Sequence, residues 1–172
     1  MHGADVLIRG RRVVTPDGTG EACIHIANGR VERVAAFGDV PPAVPLVDAG
    51  ASVVLPGLVD THVHVNEPGR TQWEGFDTAT RAAAAGGVTT ILDMPLNSIP
   101  ATTTPEALAQ KRAAAEGKVH VDVGFWGGAV PDNLGDLGNL HRAGVFGFKA
   151  FMCPSGVTEF PPLDLDQLRE AM

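Results

Sequence analysis

From residue 56 to the end of the chain, short β-rich runs alternate with helix-forming stretches, and this alternation restricts the fold more than any other feature of the sequence. LVDTHVHV, VTTILDMP, VHVDVGFWGGA and VFGFKAFM have the Val, Ile, Thr and Phe content of strands. Between the first two, FDTATRAAAA is a run of strong helix formers that stops at Gly86-Gly87. Thr104-Pro105-Glu106 supplies an N-cap, a proline at the first helical position and an early acid, opening a helix that runs to about Gly117. NLGDLGNLHRAG predicts a third helix, weakened by its glycines, and LDLDQLREAM begins a fourth. Such a pattern predicts a parallel sheet, either open and doubly wound or closed into a barrel. A (β/α)8 TIM barrel needs about 250 residues, whereas residues 56–172 supply four βα units and stop inside a helix. The expectation is therefore the first half of such a barrel, in a truncated chain. A complete four-stranded flavodoxin-like domain is the alternative, but its first strand would end in His-Val-His where that fold needs a Gly-rich phosphate turn.

Residues 1–55 follow a different pattern. DVLIRG, RRVVT, CIHI and RVERVAAF are short strands separated by the turn signals Pro16-Asp17-Gly18 and Asn28-Gly29. Asn-Gly between alternating runs marks a hairpin, because both residues tolerate the positive φ of a type I′ turn. Prolines in VPPAVP then break the pattern. The predicted organisation is a small β-sandwich segment over residues 1–55, followed by the barrel unit over residues 56–172.

Composition narrows the partners. The 172 residues are 44% hydrophobic with a formal charge of −7, which suits a soluble globular protein and disfavours nucleic acid and anionic membranes. No apolar run approaches the ~18 to 20 residues of a membrane span, and the N-terminus lacks a signal-peptide pattern. Cys23 and Cys153 form no paired motif, so reduced thiols in a cytoplasmic protein are expected.

The chemistry gathers at the end of the first strand. Successive side chains of a strand point to opposite faces, so Asp60, His62 and His64 share one face and Val59, Thr61, Val63 and Val65 the other. At the C-terminal end of a barrel strand, two imidazoles on one face are placed to hold a metal. His-x-His alone is equally consistent with two hydrogen-bonded or solvent-facing rings. Asp60, one step deeper, is expected as a buried carboxylate that orients them. Lys149, within the apolar run FGFKAFM, either reaches out to solvent or keeps a neutral amine that captures carbon dioxide as a carbamate.

GLVDTHVHVNEPGRTQWEGFDTATRAAAAGGVTTILDMPLNS, with VDVGFWGGAVP and GVFGFKAFMCPSGVTEFPP, resembles the cyclic amidohydrolases of the amidohydrolase superfamily and, within them, the allantoinase branch. The resemblance covers nearly the whole chain. It implies a metal-dependent (β/α)8 barrel with two divalent metal ions, zinc being the first choice for imidazole and carbamate ligands. By resemblance His62 and His64 ligate the more buried ion, and a CO2-derived carbamate on Lys149 bridges both. The implied reaction is hydrolysis of a small-molecule ureide, allantoin, to allantoate, by a protein that is a homo-oligomer, tetramer or dimer, at full length. Two further histidines and a late aspartate of the family pattern have no counterpart here. His2, His25, His120 and His141 are expected to be structural or solvent-facing, and the fragment alone to be inactive.

Dihydroorotases carry an arginine two positions after the second histidine, suited to a substrate carboxylate. Asn66 stands there in this chain, which favours a neutral ureide, although Arg70 is near enough in sequence to compensate. Hydantoinases place a tyrosine after the bridging lysine, and this chain has none. Asn66, Asn97, Ser155 and Gly156 are therefore the candidate substrate contacts, the last three equally readable as loop and turn residues. Cys153 is expected to be a buried structural thiol. Dihydroorotase, hydantoinase or dihydropyrimidinase activity, or a non-catalytic scaffold of the same fold, remain the alternatives.

Overall fold

Strand β1 (Val6–Thr15) runs through both of the first two β-rich runs, and a register irregularity between Gly10 and Val13 absorbs the interruption. The computed structural model describes residues 4–172, so His2 lies outside the described residues. The chain divides into two compact units, Met1–Pro56 and Gly57–Met172.

In the first unit β1 pairs antiparallel with β2 (Gly18–Ala27), which pairs antiparallel with β3 (Arg30–Ala35). The turn between β2 and β3 is Asn28-Gly29, with φ of 52° and 70°, the positive pair that the sequence pattern called for. The opposite edge of β1 takes two short parallel strands, β4 (Leu46–Asp48) and β5 (Val53–Val54). The result is one five-stranded sheet in the order β3-β2-β1-β4, with β5 also on β1. The second layer expected of a sandwich is not formed among the described residues. Both late strands extend the edge of β1, at Leu7–Arg9 and at Arg12–Val13, because β1 is long enough to hold them in series. Leu7, Val13 and Cys23 are buried here, as is His25, whose Nε2 lies 3.1 Å from the Asp39 carbonyl.

The second unit opens with β6 (Leu58–Val63) and α1 (Phe76–Ala85), continues through β7 (Val88–Asp93) and α2 (Pro105–Ala115), and reaches β8 (Asp122–Phe125). The three strands are parallel, in the order β6-β7-β8. The third strand then breaks at Trp126 and resumes as β9 (Gly127–Gly128). A 3-10 turn over Pro131–Asp136 and α3 (Leu137–Arg142) replace the single third helix expected. The fourth strand shrinks to β10 (Phe148–Lys149), parallel to β9, before α4 (Leu165–Ala171).

Large rings sit against the glycines of these strands. A Cβ on Gly124, Gly127 or Gly128 would lie 2.7, 2.9 or 2.4 Å from ring atoms of Phe146, Phe148 or Phe160. The backbone still carries the parallel arrangement past the formal strand ends, through Phe146 N–H to Phe125 O (2.9 Å), Gly127 N–H to Gly147 O (2.8 Å) and Ala129 N–H to Lys149 O (2.9 Å).

Two apolar clusters hold this unit. One includes Val65, Phe76, Ile91, Leu108, Phe125, Leu140 and Val145, with Phe76 and Phe125 edge to face at 6.3 Å. The other, Met94, Leu96, Ala101, Val130 and Phe160, lies under the loops that follow the strands. Helix α2 starts where the sequence placed it, with the Thr104 hydroxyl accepting the Ala107 amide at 3.2 Å. Helix α1 has glycine before its first turn and takes its cap from a distance: Glu67 Oε2 accepts the Phe76 amide at 3.0 Å.

Candidate metal centre

His62 is the penultimate residue of β6 and His64 follows directly after the strand's end, their ring centroids 5.4 Å apart and the planes tilted by 46°. Lys149 ends β10, the element farthest along the parallel series. A cavity of about 380 Å³ joins the two regions, lined by Thr61, His62, Met94, Trp126, Phe148, Lys149 and Ala150. The Trp126 indole N–H donates to the Thr61 carbonyl at 2.9 Å and so ties the third strand to the first at the cavity wall.

The electrostatics favour unprotonated nitrogen. Burial pushes the His64 pKa down, and the nearby positive charges of Lys149, His62 and Lys111 add to the effect, while a hydrogen bond to the Leu96 backbone opposes it. Burial alone lowers the pKa of Lys149, whose Nζ lies 5.0 Å from the centre of the Phe151 ring. Two imidazoles, that of His64 with its proton affinity lowered, and an amine with a weakened hold on its proton are donors of the type a borderline-soft divalent cation takes. They are a partial set. No group of three or more His, Cys, Asp or Glu side chains able to hold a metal occurs among the described residues.

Asp60 differs from expectation. It is exposed, and its Oδ1 accepts the His62 backbone amide at 3.0 Å. It thus makes a local turn-like bond within β6, the edge strand of its sheet, in place of a contact with the imidazole rings. A buried carboxylate does occur nearby, and it was not foreseen. Asp93, at the end of β7, is fully buried, accepting the Val65 amide at 2.7 Å through Oδ1 and the Lys111 ammonium at 2.7 Å through Oδ2. Lys111 also donates to the Met94 carbonyl at 2.9 Å. Burial pushes the Asp93 pKa up to about 6 against the opposing pull of Lys111. The sequence signal that would have revealed the pair is a charged residue at the inner end of an apolar strand, followed by a lysine on the next helix.

The expected substrate contacts divide. Asn66 is buried, and its side-chain oxygen has no hydrogen-bond partner. Asn97 holds a left-handed backbone, φ 73°, with its amide nitrogen 3.4 Å from His64 Nδ1. Ser155 is occupied by its own loop: its hydroxyl lies 2.6 Å from the Phe160 carbonyl and 3.1 Å from that of Val157. Gly156 is exposed at φ 92°, a conformation that suits a turn glycine. Arg70 is engaged by the protein itself. Its Nη1 donates to Glu159 Oε1 at 2.5 Å and to the Asn97 carbonyl at 2.9 Å.

Cys153 is exposed, contrary to expectation, because it falls in the irregular segment after β10, where no element packs over it. His120 is exposed and lies 2.9 Å from Asp77, and His141 is exposed on α3. No helix among the described residues is long and apolar enough to cross a membrane.

Comparison with known proteins gives a consistent set of relatives. Residues 53–170 match the model of the Amidohydrolase family. The allantoinase of Streptomyces avermitilis is 58% identical over an alignment covering 100% of this chain and 39% of that protein. The allantoinase of Arabidopsis thaliana is 46% identical, covering 96% of this chain and 34% of its own length. Among solved structures, the L-hydantoinase (dihydropyrimidinase) from Arthrobacter aurescens superposes with a TM-score of 0.89 at 35% identity, over 98% of this chain and 37% of that one. The chain therefore spans about 39% of the length of the Streptomyces relative, and less of the plant one.

Proposed function

The chain belongs to the amidohydrolase family, and from that membership we propose that the protein it contributes to hydrolyses the cyclic amide of allantoin, giving allantoate, at a binuclear metal centre. The observation that carries this reading is the convergence of His62 and Lys149 on one cavity, with His64 beside it, in a chain 46 to 58% identical to allantoinases.

In this reading His62 and His64 would hold one divalent ion through imidazole nitrogens. Burial and the neighbouring cations keep the His64 ring unprotonated, as ligation requires. Lys149 would contribute as a carbamate: its neutral amine forms an N–C bond to carbon dioxide and the carbamic acid loses a proton to water, leaving carboxylate oxygens that would serve as metal ligands. The surroundings suit that step, since burial already disfavours the ammonium. Bound divalent ions supply a nucleophile at neutral pH and polarise the ring carbonyl. Asn66 presents an unpaired buried amide oxygen, suited to a ureide N–H and unsuited to a carboxylate. Asn97 orients the His64 ring. Asp60, on the same strand, steadies the His62 backbone. Ser155 and Gly156 shape the loop beside the site, with a polar atom in reach of substrate only if Ser155 exchanges its carbonyl partners.

Zinc is the proposed metal. The same reading includes a cytoplasmic location, in keeping with two unpaired cysteines, and a homodimer or homotetramer. It also includes inactivity of residues 1–172 alone, because the donors they supply are a partial set.

The test is ring opening by the full-length protein on allantoin, dihydroorotate and hydantoin, with metal content measured alongside. Allantoin should be the preferred substrate, with turnover lost to a chelator and restored by zinc. His62→Ala and Lys149→Ala should each lose more than the about 10- to 100-fold that removing an outer-shell partner costs. Preference for dihydroorotate or hydantoin would replace the substrate assignment, and metal-independent turnover would overturn the mechanism.

A further inference from the structure

Arg70 carries a full positive charge close to the proposed metal ligands, and the protein supplies its counter-charge from a segment 89 residues away in sequence. The Arg70 and Glu159 side chains are only 19% and 27% exposed, and the guanidinium lies 5.1 Å from the centre of the Trp73 ring. Through Nη1 the same guanidinium holds the carbonyl of Asn97, whose amide is 3.4 Å from the His64 ring. The cation is therefore two contacts from His64, between the loops that follow β6, β7 and β10. A partly buried arginine with no carboxylate partner would be an anion site.

We infer that Glu159 is a specificity-determining residue: its carboxylate occupies Arg70, so that the mouth accepts an uncharged cyclic ureide and rejects a ring that carries a carboxylate. This rests on the ring-opening reading above and refines it. Arg70 acts as a positioning residue, holding Asn97 toward His64, while Glu159 keeps it from acting as a substrate clamp. The Glu159 carboxyl is held below its ordinary range first by its bond to Arg70, so the pair is fully charged at neutral pH. Lys149 lines the cavity itself and Arg70 does not, so the experiment must separate a change at one from a change at the other.

The full-length, metal-loaded protein is compared with Glu159→Gln, Glu159→Asp and the double variant Glu159→Gln/Arg70→Gln. Turnover of allantoin and of dihydroorotate is measured, together with the affinity of each ring by calorimetry. Glu159→Gln should raise the preference for the carboxylate ring relative to allantoin by about tenfold or more, the scale of one charge-assisted pair. Glu159→Asp, which keeps the charge, should leave the ratio near that of the parent, and removing Arg70 should abolish the gain. Glu159→Ala is the second neutralising variant, with the same expected shift if the Gln form does not fold. An unchanged ratio, a parallel loss for both rings, or a gain that survives loss of Arg70 would overturn the inference while leaving the ring-opening reading intact. A parent protein that opens no neutral ring would instead refute the reading itself.

Discussion

Asp93 and Lys111 lock three segments together directly behind the histidine pair. One carboxylate oxygen fixes the amide that follows His64, the other takes the ammonium, and the ammonium reaches the carbonyl after Asp93. Removing one partner leaves an uncompensated buried charge, so Lys111→Met should cost about 3 to 5 kcal/mol, read as a fall in the denaturant midpoint. The pH dependence has a definite sign. A carboxyl whose folded pKa is raised to about 6 takes up a proton on folding in the window above its ordinary value, so its contribution to stability declines as pH rises from about 4 to about 6. Lys111→Met removes the cation that holds the value down and should move it higher, which a carbon-13 titration of the Asp93 carboxyl would detect. At this scale the sequence singled out His62, His64 and Lys149 as candidates because each residue type is out of place in an apolar run. It did not reveal Asp93 or Lys111, since an acid at a strand end and a lysine on a helix both look solvent-facing until tertiary packing pairs them. Cys153 misled in the other direction, because an apolar neighbourhood in sequence says little about an irregular segment.

The elements that were legible are those closed by local chemistry. The Asn28-Gly29 hairpin, the Thr104 cap and the Gly86-Gly87 stop of α1 follow from residues within a turn of one another. What was not legible depends on distant partners: Asp122–Phe125 pair with β7 while Gly127–Gly128 pair with β10, and the rings of Phe146, Phe148 and Phe160 lie against Gly124, Gly127 and Gly128. The cap of α1 belongs to the same class. Glu67 reaches the Phe76 amide from nine positions upstream, and its other oxygen pairs with Lys118. Glu67→Ala should therefore destabilise the protein by about 1 kcal/mol for the lost cap, with more from the stranded amide, whereas Thr104→Ala should cost about 1 kcal/mol alone. Chemical denaturation of both variants side by side checks the difference.

Among the described residues, the second unit holds a three-stranded parallel sheet, β6-β7-β8, with β6 at one edge, and the two-stranded β9-β10. Leu58 and Val59 on β6 are 53% and 57% exposed, and Phe146 is 69% exposed. An unpaired edge beside exposed apolar side chains is a template for association. Residues 1–172 made alone should therefore elute above the monomer volume and bind a hydrophobic dye, and a compact, sharply melting monomer by size-exclusion chromatography would contradict this. The parallel αβ architecture was legible from the alternation of strand and helix patterns, but the single-sheet form of the first unit was not, because β4 and β5 are too short to announce which strand they join. Their position on β1 has a consequence for the order of events during synthesis. Strands β1, β2 and β3 can pair as they leave the ribosome, each with its immediate predecessor. The other edge of β1 must wait until residues 46–54 have been made, so among these three strands the one made first is the last to have both edges paired.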